Sequence, residues 1–416
     1  LWLVWRNGKR LLMQPLPSLR NCLIREGMKV DKSRWHRDLL GNLCNIKRGG
    51  SPRPIQKFLT DAPDGINWIK IGDAGDSKFI SSCKEKIIPE GVSKSRFVHK
   101  GDFLLSNSMS FGRPYILNVD GCIHDGWLVL EQPKQFDKSY LYYLLGSAPM
   151  YEKFAQKAQG AVVNNLNIDR VASVEIIYPP LDIQQAIAAE LDAVQAMIDG
   201  YKAQLEDLDA LAQSIFLDMF GDPVSNPKGW EKGSLNKYAS IGTGATPSRK
   251  IVSYYEGDIP WVKSTEVHNS YIWETQEHIT KEAIDNSNCS IYLPDTILVA
   301  MYGQGKTRGQ VGLLRIKAAT NQACAAIQCK DSLNPTFCYW HFQMCYEANR
   351  ELGNGTNQKN MNLTIVGNIK FIIPPLSLQQ EFAFKIESIE KQKELICKQL
   401  EDAKTMMAER MQYYFS

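Results

Sequence analysis

Tyr178–Leu191 reads YPPLDIQQAIAAEL, and Ile373–Ile386 reads IPPLSLQQEFAFKI. Pro179 returns as Pro374, and Gln184-Gln185 return as Gln379-Gln380, 195 positions on. A Pro-Pro pair cannot continue a preceding helix but suits the first turn of a new one, so each copy marks a helix start. Beyond the first copy, Ile187, Leu191, Val194, Ile198, Tyr201, Leu205, Leu208, Ala212, Ile215 and Met219 follow alternating spacings of four and three. That is the seam of a coiled coil. The same offset yields Phe382, Ile386, Ile389, Lys393, Ile396, Leu400, Ala403, Met407, Arg410 and Tyr414, in which only Lys393 and Arg410 break the apolar or aromatic pattern. The spacing predicts two helices of about 36 residues, each about 54 Å long. The first stops at Phe220-Gly221-Asp222-Pro223, where glycine and proline end a helix. A globular stretch between the seams lets the chain return, which predicts an antiparallel pair; the alternative is that each helix packs on its own domain.

The repeat covers far more than the helices. Trp35 matches Trp230, Ile46 matches Ile241, Gly49 matches Gly244, Pro52 matches Pro247, and Phe220 matches Phe415. Gly160 matches Gly355, and Asn165-Leu166-Asn167 matches Asn360-Met361-Asn362. Between these anchors the offset slips to 193, where NWIKIGD (67–73) faces PWVKSTE (260–266). Small insertions that cancel belong in surface loops. Each unit is therefore a globular domain followed by a helix. The domains read as mixed α and β. Short apolar runs at 102–106, 296–300 and 311–315 are flanked by Gly, Pro, Ser and Asn, as strands are, and helices are expected at 139–145 and 335–351. The boundaries drawn on this basis are an extension at 1–27, a domain at 28–178, a helix at 179–222, a domain at 223–373 and a helix at 374–416. The extension LWLVWRNGKRLLMQPLP has neither the apolar core nor the small-residue cleavage site of a signal peptide. It is expected to lie outside the repeated unit as an over-read or disordered segment, with the natural start at Met28.

At 416 residues the chain exceeds one ordinary core. It holds no apolar run of the roughly 18 residues that a membrane span needs. The net charge is only +3, but its distribution is uneven. Residues 179–220 carry eight acids and one base, Lys202, whereas residues 374–416 carry seven acids and six bases, so the rest of the chain is +11. A basic body joined by an acidic segment suits phosphate binding by the body. The ten cysteines form no Cys-x-x-Cys pair, which points to a reducing cytoplasm. Cys338, His341 and Cys345 share a helix face among Trp340, Phe342 and Met344, and are read as a buried apolar face, with no metal site assigned.

Several catalytic motifs fail on inspection. AMYGQGKT (300–307) fits a relaxed phosphate-loop pattern, yet that mechanism requires a helix to begin there, and Gly309 and Gly312 argue against one. YPPL and IPPL lack the Asn or Asp and the aromatic of an adenine methyltransferase loop. IGTGAT (241–246) lacks the third glycine of a dinucleotide fingerprint. No catalytic residue is assigned. What remains is recognition by loops at matched positions. The candidates in the first half are Arg48, Ser51, Arg53, Lys70, Ser106, Asn107, Arg113, Asn164, Asn165 and Asn167. Those in the second are Thr246, Ser248, Arg249, Lys250, Lys263, Tyr302, Gln304, Lys306, Thr307, Arg308, Asn357, Gln358, Lys359 and Asn360. Arginine suits guanine edges, Asn and Gln suit adenine edges, and Ser, Lys and Gly suit phosphates.

Together the two PPL-x-x-QQ helix starts, the F-G-D-P turn (220–223), the YGQGKTRG loop (302–309) and the tandem plan resemble the specificity subunit of Type I restriction–modification systems, from about Trp35 to Ser416. The resemblance implies an α+β fold: two tandem globular target-recognition domains separated by two long helices in an antiparallel coiled coil, as a pseudo-twofold internal repeat. It implies partners: double-stranded DNA, two methyltransferase subunits and restriction (motor–nuclease) subunits, which would carry S-adenosylmethionine, ATP and Mg while this chain binds no cofactor. The domains differ wherever loops would read bases, so the expected target is asymmetric and bipartite. The competing readings are a nucleotide-binding DNA enzyme built on Ala300–Thr307 and a structural coiled-coil adaptor.

Overall fold

The computed structural model describes residues 2–6, 9–13, 30–107, 111–131, 135–158, 166–303, 306–352 and 360–416. The chain divides into two compact units, Leu1–Gly200 with Gln399–Ser416, and Tyr201–Lys398. In the extension, Trp2–Arg6 and Lys9–Met13 pair as an antiparallel ladder.

In the first unit the central sheet has the spatial order Asn45–Arg48, Trp127–Glu131, Phe103–Ser106, Pro114–Leu117, Phe79–Ile80. Its strands are antiparallel except for the edge strand Phe79–Ile80, which runs parallel to its neighbour. In the second unit Ala239–Thr243, Cys324–Cys329, Ile297–Ala300, Val311–Leu314 and Ser270–Ile272 repeat that order, again with one parallel edge. The apolar runs read from the sequence are the middle strands of these sheets. They are buried along their whole length because both sheet faces are covered. In the first domain Phe103, Leu105, Leu128 and Leu130 pack toward the helices. Leu104, Tyr115, Trp127 and Val129 face Ile69, Val98 and Ile123 of a second five-stranded sheet. Strand side chains alternate between faces, so one run serves two cores.

The helix expected at 139–145 is Lys138–Gly146. The one expected at 335–351 breaks at Cys345 into Pro335–Met344 and Tyr346–Arg350. Each domain is closed by a two-stranded ladder between its first strand and its last. These are His36–Leu39 with Glu175–Tyr178, and Lys232–Ser234 with Lys370–Ile372. The last strand leads into the Pro-Pro pair and so aims the helix that follows.

Those helices run Leu181–Phe220 and Leu376–Phe415, 40 residues each, or about 60 Å. The repeated glutamine explains the repeated phrase. Gln184 is buried; its Oε1 accepts from the Asp137 N–H at 3.0 Å, and its Nε2 donates to the Pro179 carbonyl at 2.8 Å and the Gln135 carbonyl at 3.1 Å. Gln379 does the same, accepting from the Asn334 N–H at 2.9 Å and donating to the Pro374 carbonyl at 2.8 Å. Asp137 and Asn334 are themselves the N-caps of Lys138–Gly146 and Pro335–Met344. One amide therefore ties the start of each long helix to the start of its domain's principal helix. The following glutamines, Gln185 and Gln380, are exposed.

No seam position of either helix is exposed. In the second unit Phe216 and Phe220 meet Phe382 at ring-centroid distances of 5.5 and 5.4 Å, while Asp209 meets Lys393 at 2.5 Å. Rising numbers on one helix thus meet falling numbers on the other, which is the antiparallel arrangement. Lys393 and Arg410, the two breaks in the pattern, form ion pairs. Lys393 also holds Glu390 at 2.9 Å, and in the first unit Arg410 holds Glu190 at 2.9 Å. Ile187, Leu191, Val194, Ile198, Phe382, Ile386, Ile389, Leu400 and Ala403 are buried, whereas Tyr201, Leu205, Leu208, Ile215, Ile396 and Met407 are half-buried. Both packing alternatives hold at once. Ile187 and Leu191 join the first domain's core together with Tyr414, and Phe382 and Ile386 join that of the second domain with Phe216. After Phe220, Gly221 takes a φ of +76°, a left-handed turn that suits glycine.

Within the second core, His341 stacks on Phe371 at 3.8 Å, and its Nε2 accepts from the Ile372 N–H at 3.3 Å. Its complete burial pushes its pKa down to about 3. Cys338 and Cys345 of the same face are also buried.

Two measurements test these assignments. Gln379→Ala leaves a part-buried N–H and a buried carbonyl without this partner, at up to about 1–3 kcal/mol per group. Urea unfolding should register that loss, while Gln380→Ala should stay within about 0.5 kcal/mol of the parent. His341 stays neutral in the fold but takes a proton near pH 6.5 once unfolded. Stability should therefore be insensitive to this group above pH 6.5 and fall as pH drops from 6.5 toward 3. His341→Gln should flatten that part of the unfolding profile.

Candidate nucleic-acid interface

The first candidate loop leaves the strand Asn45–Arg48 through Gly49-Gly50-Ser51-Pro52-Arg53. Its backbone lies against the turn after Gly121–Ile123. The Gly49 N–H donates to the Trp127 carbonyl at 2.9 Å, and that of Gly50 to the Ile123 carbonyl at 3.1 Å. A Cβ on Gly49 would fall 2.2 Å from the His124 carbonyl oxygen. The matched glycine of the second half is tighter still, since a Cβ on Gly244 would fall 1.6 Å from the Thr320 carbonyl oxygen. These anchors of the repeat are glycines because two backbones touch there.

Two residues beyond each glycine a hydroxyl closes the contact. Ser51 Oγ donates to Asp125 Oδ1 at 2.9 Å, and Thr246 Oγ1 donates to Gln322 Oε1 at 2.6 Å. Around Asp125 the basic candidates assemble. Arg48 Nε donates to its carbonyl at 2.8 Å, Arg53 Nη2 lies 3.4 Å from its Oδ2, and Arg96 Nε donates to the Arg48 carbonyl at 2.8 Å. Partial burial raises the Asp125 carboxyl, but the Ser51 hydroxyl and the nearby His124 and Arg48 outweigh it and hold it below the ordinary carboxylate range.

In the second half the arginine is braced differently. Arg249 pairs with Glu277 at 2.7 Å and lies 4.0 Å from the Tyr255 ring centroid and 5.2 Å from that of Trp261. Lys263 meets the same Glu277 at 2.7 Å, as Lys70 meets Glu85 in the first half. The Arg249 hydrogen bond, then that of Lys263, holds the Glu277 carboxyl below its ordinary range. Stacked, ion-paired guanidinium has a fixed direction, which recognition of a base edge requires.

Other candidates fall elsewhere. Arg113, Ser248, Lys250, Tyr302, Lys306 and Asn360 are exposed, and Thr307 and Arg308 are half-buried. Ser106 and Asn107 are buried and hold the loop from inside. Ser106 Oγ accepts from the Arg113 N–H at 2.9 Å, and Asn107 Nδ2 donates to the Asp125 carbonyl at 3.0 Å. They are therefore removed from the accessible set, because the end of a central strand turns their side chains inward. Lys70 and Lys263 are part-buried in ion pairs. Asn167 caps the helix Ile168–Ala172 by accepting from the Arg170 N–H, and Asn362 caps Leu363–Asn368 likewise. The N-x-N anchor of the repeat thus has a capping duty. Asn164, Asn165, Gln304, Asn357, Gln358 and Lys359 lie outside the described residues. Asp125, Gln322 and Glu277 organise the loops but carry no local sequence signal, since each acts on residues far away in the chain.

The Ala300–Thr307 stretch follows the strand Ile297–Ala300 and leads into Val311–Leu314, its antiparallel partner. Among the described residues no helix begins between Ala300 and Val311, whereas phosphate binding by such a motif requires one. Among the described residues no group of three or more His, Cys, Asp or Glu could hold a metal ion. Among them, too, no helix is long and apolar enough to cross a membrane.

Replacing Gly49 or Gly244 by alanine sets a methyl against a backbone carbonyl. Each substitution should destabilise its own domain by about 1–3 kcal/mol, read as a lower unfolding midpoint, while Gly72→Ala, in open space, should not.

Known proteins share this plan. The Type I restriction enzyme MjaIX specificity subunit of Methanocaldococcus jannaschii is 24% identical over 386 residues, covering 85% of this chain and 88% of that protein. The HindI specificity subunit of Haemophilus influenzae is 27% identical over 168 residues, covering 39% of this chain and 36% of its own. The crystal structure of a Type I restriction–modification S subunit from M. genitalium superposes with a TM-score of 0.58 at 14% identity, covering 92% of this chain and 97% of that one, which shows a shared fold. The family described as Type I restriction modification DNA specificity domain matches residues 32–209 and again 227–404. With both halves of the repeat matched, the chain belongs to the Type I restriction modification DNA specificity domain family and carries that domain twice.

Proposed function

We propose that this chain is the DNA-reading subunit of a Type I restriction–modification complex, and that its two domains each read one half of an asymmetric, split target. The observation that carries the reading is the matched pair of tethered loops. Each domain holds a glycine-rich, basic loop against a turn by the same hydroxyl hydrogen bond, yet the side chains around it differ. Like scaffolds hold the loops in like positions, and unlike side chains would ask for unlike bases.

On this reading the chain performs no chemistry. Methyltransferase and restriction subunits bind to it and bring S-adenosylmethionine, ATP and Mg. The long helices set the length of the unread gap and offer docking surface to those subunits. A nucleotide enzyme built on Ala300–Thr307 is disfavoured because the stretch joins two directly paired strands, Ile297–Ala300 and Val311–Leu314, with no helix starting between them among the described residues. An adaptor without DNA binding leaves the basic groups held around both loops without a purpose.

The test is a methylation map of a host expressing this chain with its methyltransferase subunit, against the same host lacking the chain. A new methyl-adenine motif in two unequal parts is expected. Exchanging residues 36–178 for those of a relative should alter one part only. The complex should also lose about 10³–10⁵ in DNA affinity between 50 and 200 mM salt if it makes about six to ten phosphate contacts. A map without any new motif, from a soluble complex, would sink the reading.

A further inference from the structure

We propose that Asp125 and Gln322 are paired specificity-determining positions, each locking its reading loop through one hydrogen bond and turning a different remaining hydrogen-bonding face outward. The inference rests on the DNA-reading function proposed above. The two residues occupy the same place in the two domains. Each sits on the turn that follows a strand of its domain's second sheet, Gly121–Ile123 or Ala318–Thr320. Each accepts a hydroxyl from the loop residue two positions beyond the abutting glycine. Neither is sealed in: the Asp125 side chain is 42% exposed and Gln322 is exposed.

What they offer beyond the shared bond differs in kind. A carboxylate is acceptor-only, whereas an amide keeps two N–H donors beside its carbonyl. In the groove an acceptor selects the exocyclic amino group of cytosine or adenine and is repelled by the O6 of guanine and the O4 of thymine. The amide of Gln322 can serve an acceptor edge and suits the mixed edge of adenine. The charge of Asp125 also draws Arg53 to 3.4 Å. Gln322 has no charge, and the arginine of its loop turns to Glu277 at 2.7 Å. The single difference between acid and amide thus bears both on the face presented and on where the neighbouring guanidinium points.

The test uses Asp125→Asn and Gln322→Glu in the full chain with its methyltransferase subunit, each near the parent in shape and each able to keep the hydroxyl bond. The readout is the methylation map together with rates on oligonucleotides that vary one base at a time. Asp125→Asn should lower methylation of the original site at least 10-fold and relax or change a base in one half of the motif only. Gln322→Glu should do so in the other half only. Ser51→Ala and Thr246→Ala, which loosen the loop without changing the face presented, should lower rates on all sites and leave the motif unchanged. An unchanged motif with unchanged rates in both hub variants overturns the inference, as does an equal loss across both halves. Should Asp125→Asn fail to fold, Gln322→Glu at an exposed position decides on the same terms. A parent chain that directs no methylation at all overturns instead the function on which this rests.

Discussion

The rest of the structure depends on a buried amide at the start of each long helix. Gln184 and Gln379 lie where the last strand of a domain has ended and the spacer helix begins. There the chain has freed polar groups that are partly or wholly shielded from water. The glutamine satisfies a backbone N–H on one side and a carbonyl on the other, and leaving either unpaired in the interior would cost more than the bond itself returns. Only a side chain with a donor and an acceptor on one flat group, long enough to cross from helix to domain, meets both needs. This explains why the phrase PPL-x-x-QQ recurs with its first glutamine buried and its second in solvent.

From that clamp the helix direction follows. The closing ladder aims the chain, the Pro-Pro pair starts the helix, and the glutamine holds it to the cap of the domain's principal helix. The helix then runs with its apolar seam partly in the domain core and partly against the other helix. The two charged residues in the second seam sit where the partner helix supplies an acid, Asp209 for Lys393 and Glu190 for Arg410. A half-buried ion pair adds little net stability, but it penalises any register in which the charges would be left alone.

The candidate loops follow a comparable rule. Rigid sheets carry them, a backbone-to-backbone approach at glycine fixes their base, and one hydroxyl pins their middle. Variation in the exposed side chains of the loop then costs the fold little. The scaffold is thus held apart from the exposed face of each loop.

The sequence by itself determined the duplication, both helices with their seams, their antiparallel pairing and the middle strands of each sheet. These rest on local periodicity and on a repeat that displays its own alignment. It also located the loops, since Arg48-Gly49-Gly50-Ser51-Pro52-Arg53 and Thr246-Pro247-Ser248-Arg249-Lys250 stand out by composition. Only the tertiary structure decided what each loop residue does. Asn107 and Asn167 look alike as polar loop residues, yet one is buried beneath Asp125 and the other caps a helix. Phe216 stands one place off the heptad line, yet it is buried where domain and helix meet. Asp125 and Gln322 carry no signal in the sequence either. A hydrogen bond between residues some 75 positions apart leaves no periodicity, and only folding brings its two ends within 3 Å.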